Sequence, residues 1–232
     1  MKIQVWSDVM CPFCYIGKKN MEAAVAKLPF KDEIEIEWKS YQLDPTLDKN
    51  TAGISINTYL SQKKGLPVDK IKEMQQNIVE IGNKAGIQFN QENAVVVNTN
   101  TAHRLIHFAQ ENGKGSEMEE ALFKAHFTDE KNVADVTELA NLAASVGLDK
   151  VKAEEVLHSE AYDYEVNQDI MDAKNMGISG VPFFVLNNKY AVSGAQPSEV
   201  FEEALFQTYN ETQAISNSRD SGSCCSVDGG CH

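Results

Sequence analysis

Two cysteines separated by two residues stand near the start of the 232-residue chain, in the segment Cys11-Pro12-Phe13-Cys14. A short strand pattern gives way to a helical pattern here, so Cys11 falls at the N-terminus of the predicted helix. Unpaired backbone N–H groups and the positive end of the helix dipole favour a thiolate at that position. Cys14 follows one turn later, close enough to close a small disulfide ring. We therefore predict a thiol–disulfide exchange site, with Cys11 as an exposed nucleophile and Cys14 as a more buried resolving thiol.

A zinc site is the alternative for this cysteine pair. A lone C-x-x-C segment can supply half of a tetrahedral zinc site, which then needs two further ligands. The placement between a strand and a helix favours redox chemistry, and we predict that the pair works without a metal or other cofactor.

A second candidate feature is the segment Gly180-Val181-Pro182, which opens an apolar run. Proline at the entry to a strand is unusual unless its peptide bond is cis or the strand lies at a sheet edge. In a thioredoxin-like fold, a cis proline here would bring the Val181 backbone beside the Cys11 sulfur, where it could pair with an extended substrate segment. The alternative is a simple turn before the strand.

The remaining cysteines lie close to the end of the sequence, where they are Cys224, Cys225 and Cys231, followed by His232. Glycines between Cys225 and Cys231 would ease closure of a second redox pair. We predict that this segment exchanges disulfides with the first cysteine pair, as a tethered substrate at high effective concentration. A site for a soft metal ion and the absence of a specific role are the alternatives.

The elements that must position these features follow the order β-α-β, a long helical block, β-β-α and a tail. The first strand covers residues 3–7, and the helix that follows runs from about Cys11 to Leu28. A second strand alternates at Ile34, Ile36 and Trp38, and its apolar phase then shifts, which suggests a bulge near residue 40. A right-handed crossover would make these two strands parallel.

The apolar spacing from about residue 55 to 177 is helical almost throughout. His103 and His107 stand at i and i+4 in this block, a spacing that can bind a metal ion. No acidic third ligand is evident near them, and we interpret them as a solvated or groove-lining pair. Asp8, three residues before Cys11, is a candidate proton acceptor for Cys14, with capping of the following turn as the alternative.

Strand patterns return at residues 183–186 and 190–193, joined by Asn187-Asn188, which suit a tight hairpin turn. A last helix is predicted from about Pro197 to Tyr209. The residues after it are rich in Ser, Asn, Asp and Gly, and we predict that they form a flexible tail.

The composition excludes two classes of partner. The chain has 34 acidic and 21 basic side chains, a formal charge of −13 and 42% apolar residues. Phosphate binding needs clustered Lys and Arg, and no apolar run approaches the roughly 18 residues that span a bilayer, so neither nucleic acid nor a membrane is expected as a partner. The first residues lead directly into a strand pattern, without the apolar stretch of a secretory signal. We therefore expect a cytoplasmic protein, whose cysteines are reactive rather than structural.

Together these motifs resemble those of the DsbA family of thioredoxin-fold oxidoreductases, and within it the FrnE-like group, which is related to 2-hydroxychromene-2-carboxylate isomerases and kappa-class glutathione transferases. The resemblance rests on residues 8–17, 180–184 and 194–196, and it covers residues 1–212. It implies an α/β, thioredoxin-like fold with a large all-helical insertion. Residues 1–50 and 178–212 would form the thioredoxin-like module, residues 51–177 the inserted helical domain, and residues 213–232 a flexible cysteine-containing tail.

The resemblance also implies roles for the candidate site residues. Cys11 would be the nucleophile, Cys14 the resolving cysteine, and Val181 and Pro182 part of the substrate groove, with Pro182 as the cis proline. The implied partners are protein or peptide thiols and disulfides, with glutathione as a further candidate.

Two other functions stay open beside disulfide exchange. The isomerase and transferase relatives typically have serine where Cys11 stands and use glutathione as the thiol, so a glutathione-dependent isomerase or transferase acting on a small molecule is one alternative. The presence of both cysteines favours disulfide exchange over this activity. A non-catalytic metal-binding protein that uses the two cysteine clusters is the other alternative.

Overall fold

The computed structural model describes residues 1–48, 53–90 and 94–220, with side chains described up to residue 214. Its strands are β1 (Lys2–Ser7), β2 (Glu35–Ser40), β3 (Ile54–Ser55), β4 (Val95–Val96), β5 (Phe183–Leu186) and β6 (Tyr190–Ser193). Its helices are α1 (Pro12–Lys27), α2 (Ile56–Gln62), α3 (Val68–Lys84), α4 (Asn100–Glu111), α5 (Gly115–Phe127), α6 (Val136–Ser145), α7 (Lys150–His158), α8 (Asp163–Asn175) and α9 (Ser198–Asp220). A turn of 3-10 helix, Lys31–Glu33, precedes β2.

Four of the described strands form one mixed sheet in the order β2-β1-β5-β6. β1 and β2 are parallel, with Val5 opposite Trp38, as expected for strands joined by a right-handed crossover through α1. β5 runs antiparallel to β1, with Val5 opposite Phe184, and β6 completes the predicted hairpin. Asn187 and Asn188 have φ values of 47° and 54°, the left-handed conformation that a tight hairpin turn needs and asparagine tolerates.

Alternate residues of β1 point to opposite faces of the sheet, and helices cover both faces. Val5 lies in the same buried cluster as Phe201 of α9, and α9 packs in turn against α1. Trp6 points the other way and packs with Ala173 of α8, and its indole N–H donates to the Asp169 carbonyl at 2.9 Å. The sheet therefore lies between helical layers, which confirms the predicted α/β class.

Helices α2 to α8 stand between β2 and β5 in the chain, in the block predicted to be helical. The two-residue strands β3 and β4 pair within this block, with Ile54 opposite Val96. They were not predicted, because two residues are too few to show a strand period. Helices α4 and α8 pack against β2, and Trp38 lies in the same buried cluster as Leu105 of α4. The inserted helices thus share a core with the sheet.

The predicted bulge near residue 40 is wrong. β2 ends at Ser40, so the shift of apolar phase marks the end of the strand. The N–H of Tyr41 still donates to the Ser7 carbonyl at 3.0 Å, which keeps the chain beside β1 for one more residue.

The predicted end of the last helix is also wrong. α9 continues to Asp220, so residues 213–220, expected to begin the flexible tail, are helical. Within this helix the hydroxyl of Thr212 donates to the Thr208 carbonyl one turn earlier at 2.8 Å. Among the described helices, none combines the length and apolar character needed to cross a membrane.

Candidate active site

The first turn of α1 carries the two predicted cysteines. Cys11 is the N-cap residue, and Pro12 takes the first helical position, where a backbone N–H is not needed. The N–H of Cys11 donates to the Asp8 carbonyl at 2.9 Å, and the N–H of Cys14 donates to the Cys11 carbonyl at 3.0 Å. This turn holds the Cys11 sulfur at the positive end of a 16-residue helix, where an anionic sulfur is favoured.

Both cysteines are buried, Cys14 as predicted and Cys11 against the prediction. Cys14 is 1% exposed, and Cys11, expected to be exposed, is only 5% exposed; both thiols are free. The inserted helices supply the cover over Cys11, through side chains such as Ile78 of α3 and Phe127 of α5. Burial raises the pKa of the Cys14 thiol, as does the neighbouring Cys11, while hydrogen bonds from the Asp8 N–H and the Ser7 hydroxyl act in the opposite direction.

The loop before β5 completes the surroundings of Cys11. The Sγ atom of Cys11 lies 3.6 Å from the carbonyl oxygen of Val181, and the Val181–Pro182 peptide bond is cis. None of the hydrogen bonds within the described residues uses the N–H of Val181. A free N–H beside the sulfur can bond to an incoming extended segment. The close packing of α1 against Pro182 depends on Gly17, since a Cβ atom there would lie 2.9 Å from Pro182 Cγ.

A buried carboxyl group lies behind Cys14. Glu119 of α5 is 1% exposed, and its Oε1 accepts a hydrogen bond from the Ser7 hydroxyl at 2.6 Å. Its Oε2 has no hydrogen-bond partner among the described residues. Burial raises the pKa of Glu119, because a carboxylate loses hydration in the interior. The Ser7 hydroxyl also lies close enough to Cys14 to lower the pKa of its thiol, so this hydroxyl stands between the second cysteine and the Glu119 carboxyl group.

Asp8 is fully buried. Its carboxylate accepts the N–H of Leu43 at 2.7 Å and the N–H of Met10 at 3.3 Å, so the capping alternative describes its bonds. Oδ1 also lies 3.5 Å from Nε2 of His103. Burial alone would lower the pKa of His103, but the Asp8 carboxylate, with smaller contributions from Glu119 and the Tyr41 backbone, raises it. Only the backbone N–H of Asp8 bonds to Cys14.

The interpretation of His103 and His107 as a solvated or groove-lining pair is wrong for His103, whereas His107 does line a surface groove beside β2. His103 is 2% exposed and faces Asp8. Nε2 of His107 lies 3.0 Å from Oδ2 of Asp169 and 3.1 Å from the Ser40 hydroxyl. The two rings therefore face different carboxylates: that of Asp8, which follows β1, and that of Asp169 in α8.

Within the described residues, no group of three or more His, Cys, Asp or Glu side chains is arranged to hold a metal ion. The candidate redox or metal residues Cys224, Cys225 and Cys231 lie outside the described part of the chain.

A largely apolar cavity of about 410 Å³ adjoins Cys11. We call it the Cys11 cavity; it is bordered by the first turn of α1, by α2, α3, β4 and α5, and by residues 180–181. His126 lines it while being 5% exposed, and its ring meets that of Phe127 edge to face, with centroids 4.6 Å apart. Burial lowers the pKa of His126 to about 4, so the imidazole is neutral near pH 7.

Sequence reasoning missed Glu119 and His126, although one signal could have found them. With Leu122 and Phe123 they stand at i, i+3, i+4 and i+7 along α5, which is the spacing of a buried helix face. All four side chains are at most 5% exposed. A polar residue on such a face must find a partner or a use, so both positions were identifiable as candidates.

The chain is similar in sequence and in fold to known proteins. A family model described as a DSBA-like thioredoxin domain matches residues 2–206. A crystal structure of a probable DsbA oxidoreductase from Streptomyces coelicolor is 36% identical, with a TM-score of 0.86 over 91% of each chain. The uncharacterized protein YwbO of Bacillus subtilis (strain 168) is 29% identical over 88% of this chain and 94% of its own length. The cytosolic disulfide reductase DsbM of Pseudomonas aeruginosa, solved with GSH, shares the fold at 15% identity, with a TM-score of 0.62 over 93% of this chain and all of its own.

Proposed function

Because this chain belongs to the DsbA-like thioredoxin domain family, we propose that it is a cytoplasmic protein thiol–disulfide oxidoreductase with Cys11-Pro12-Phe13-Cys14 as its active site. The observation that carries the proposal is the 3.6 Å approach of the Cys11 sulfur to the Val181 carbonyl, at the start of a helix whose first turn also bears Cys14. A substrate disulfide held along the Val181 backbone would meet the Cys11 sulfur in line, which is the geometry that exchange requires.

The reaction proceeds in two exchanges. The Cys11 thiolate attacks one sulfur of the substrate disulfide, so a mixed disulfide forms and the other substrate sulfur leaves as a thiolate. Cys14 then loses its proton and attacks the Cys11 sulfur, which forms the Cys11–Cys14 disulfide and releases the second substrate thiolate. The substrate gains two electrons and the cysteine pair loses two. The reverse sequence donates the disulfide to a dithiol.

The proton on Cys14 has a route away from the buried sulfur. Ser7 can accept it while passing its own hydroxyl proton to Glu119, whose Oε1 already accepts that hydroxyl at 2.6 Å. A carboxyl group whose pKa is raised by burial suits this task, since it holds a proton more readily than an exposed carboxylate does. Glu119 would return the proton when the cysteine pair is reduced again.

The proposed partners are protein or peptide thiols and disulfides, with glutathione as a candidate reductant of the oxidised pair. DsbM, a cytosolic reductase solved with GSH, shares the fold, which supports the proposed compartment and this reductant. In the cytosol the glutathione poise favours reduction or isomerisation of substrates over their net oxidation.

The proposal keeps the predicted division of the chain. Residues 1–50 and 178–212 carry the cysteines and the cis proline, while residues 51–177 cover them. In the last residues, Cys224, Cys225 and Cys231 remain a proposed internal redox partner of the active site.

Trapping of the mixed disulfide tests the proposed function. Cys14→Ser leaves the nucleophile without its resolving partner, so the variant should accumulate covalent adducts with thiol proteins in cell extract, released by dithiothreitol and identified by mass spectrometry. Cys11→Ser is the matched control and should trap nothing. Equal trapping by both variants, or by neither, would refute the roles assigned to the two cysteines.

The two alternative functions give different results. Glutathione conjugation or isomerisation of a small molecule that survives Cys14→Ser would support a transferase or isomerase. Stoichiometric zinc in the purified protein that is lost on Cys11→Ser would support a metal-binding protein.

A further inference from the structure

The Cys11 cavity has few polar side chains in its lining. Most of its lining is apolar, including Met10, Leu60, Ile78 and Val96. Its volume of about 410 Å³ is within the range of about 300–1,000 Å³ in which proteins bind small ligands or large side chains. A group that enters this space loses its water, so the lining decides which groups can enter at low cost.

Most polar side chains at the cavity already have partners. The hydroxyl of Tyr59 donates to Asp44 at 2.9 Å, and the side-chain amide of Gln75 donates to Asn57 at 3.0 Å. Lys64 is the one lysine or arginine among the described lining residues, and its side chain is exposed. Among the described lining residues, the exposed ammonium group of Lys64 is therefore the one positively charged partner for an anionic ligand.

His126 is the exception among these polar groups. The ring is nine-tenths buried or more, it lines the cavity, and it makes no hydrogen bond with any described residue. Nδ1 is fully buried and unpartnered. Leaving a buried polar group unpaired costs about 1–3 kcal/mol, so natural proteins seldom keep one without a use. An unpaired neutral imidazole in an apolar cavity can bond to a neutral polar group of a ligand.

We propose that the Cys11 cavity binds an uncharged aromatic side chain that carries one hydrogen-bonding group, adjacent to the cysteine of the substrate disulfide, and that His126 bonds to that group. Tyrosine is the simplest such side chain. This inference rests on the proposed function, because it needs Cys11 to attack a disulfide held beside Val181. A side chain next to the attacked cysteine would enter the cavity while its backbone lies against the free N–H of Val181.

Charge argues against glutathione as the group that fills the cavity. Glutathione carries two carboxylates and an ammonium group, and burial of an unpaired charge is costly. The described lining provides Lys64 alone as a formal cation. Glutathione can still reduce the cysteine pair from outside, but it should gain nothing from the cavity.

Exchange kinetics with matched peptide disulfides test this inference. The protein is the full chain with Cys14→Ser, and the probes are disulfide dimers of N-acetyl-Xaa-Cys-Xaa-amide with Xaa as Tyr, Phe or Glu, together with glutathione disulfide. Formation of the mixed disulfide at Cys11 is followed, after an acid quench, by mass spectrometry of the proteolytic peptide that contains Cys11, which separates it from adducts at Cys224, Cys225 and Cys231. Each second-order rate constant is divided by that of a blocked free cysteine with the same probe, which removes differences in intrinsic reactivity.

The expected order is Tyr, then Phe, then Glu and glutathione disulfide. The Tyr probe should exceed the Phe probe by about 2- to 10-fold, the ratio that one hydrogen bond gives, and Phe should exceed Glu by at least about 10-fold because a carboxylate resists burial. Adding His126→Phe should abolish the preference for Tyr over Phe and keep that for Phe over Glu. His126→Gln should retain a preference for Tyr. His158→Phe, at the exposed end of α7, is the matched control and should leave all ratios unchanged.

Three results separate the possible failures. Equal normalised rates for Tyr and Phe in the parent overturn the role of His126, even if His126→Phe fails to fold. A normalised rate for Glu or glutathione disulfide equal to that for Tyr overturns the apolar ligand, while adduct formation itself preserves the proposed function. No adduct with any probe overturns the proposed function as well.

Discussion

Gly17→Ala should separate the active-site helix from the cis-proline loop. An alanine Cβ at this position would lie 2.9 Å from Pro182 Cγ and 3.2 Å from Phe184 Cζ, whereas carbon atoms in contact normally lie about 3.5–4.0 Å apart. The loop cannot easily yield, because the Pro182 carbonyl accepts the N–H of Gly194 at 2.9 Å. We therefore expect α1 to shift away by roughly 0.6–1 Å, the difference between those distances, and to carry the Cys11 sulfur with it.

The effect on stability should be small and the effect on exchange large. Overpacking costs about 1–3 kcal/mol, but alanine is favoured over glycine inside a helix by about 1 kcal/mol. The net loss is then about 0–2 kcal/mol, and at roughly 2–4 °C per kcal/mol the Tm should fall by no more than about 8 °C. A misplacement of about 1 Å can cost about 100-fold in rate, so disulfide exchange should slow by about 10- to 100-fold.

Two measurements on one protein sample check this prediction. The Tm is measured by differential scanning calorimetry, and the rate of oxidation of the reduced cysteine pair by glutathione disulfide is followed by stopped flow. Gly180→Ala is the matched control for stability, since a Cβ there would meet nothing within 4 Å, and its Tm should match that of the parent. A Gly17→Ala variant that exchanges disulfides at the parent rate would refute the idea that contact between α1 and Pro182 sets the position of Cys11.

Two buried carboxyl groups should make stability depend on pH in opposite directions. Burial raises the pKa of Glu119 in the folded protein, so its contribution is complete below about pH 4.3 and is lost as the pH rises through the folded value. In urea unfolding series, the free energy of unfolding of Glu119→Gln relative to that of the parent should therefore increase from about pH 4 to pH 8. Glu117→Gln, on the exposed face of α5, is the control and should not show this trend. A difference between Glu119→Gln and the parent that stays constant with pH would contradict the reasoning. Burial alone would raise the pKa of Asp169, but hydrogen bonds from His107 and the Ser40 N–H lower it, so its contribution is present above about pH 3.9 and is lost as the pH falls through the folded value. Asp169 also pairs with Lys39, whose Nζ lies 3.0 Å from Oδ1. Asp169→Asn should therefore lower the free energy of unfolding by about 3 kcal/mol at pH 7 and by less in acid; an equal loss at pH 3 and pH 7 would exclude this ion pair as the cause.

Local signals in the sequence predicted the parts of the fold that local physics decides. The alternation of residues 3–7, Pro12 in the first helical turn and Asn187-Asn188 between two apolar runs each specify an element without help from the rest of the chain. The boundaries were wrong where distant residues intervene. β2 ends at Ser40, whose N–H bonds to Asp169, 129 residues away, and α9 continues past Tyr209 although its composition there is that of a tail.

The surroundings of the two cysteines were harder to predict than the cysteines themselves. The strand-to-helix context identifies Cys11 and Cys14 because the chemistry of a helix N-terminus is local. The groups that we propose for proton transfer and ligand choice come instead from α5, more than 100 residues later, and their relevance depends on how the inserted helices lie over α1. No periodicity of the sequence encodes that arrangement. The helical period of α5 indicates only that Glu119 and His126 are polar residues on a buried helix face.

The thioredoxin-like module and the inserted helices contribute different groups to the proposed reaction. In the proposed mechanism, the thioredoxin-like module supplies the nucleophile and the backbone that aligns a disulfide with it. The insertion supplies Glu119, which can take up the proton of the resolving thiol, and His126, which faces the cavity where the substrate side chain would lie. Substitutions in α5 should therefore alter substrate preference and the fate of the proton while the disulfide still forms at Cys11 and Cys14. Substitutions at the contact between Gly17 and Pro182 should instead slow exchange with every substrate alike, because all of them must meet the same sulfur.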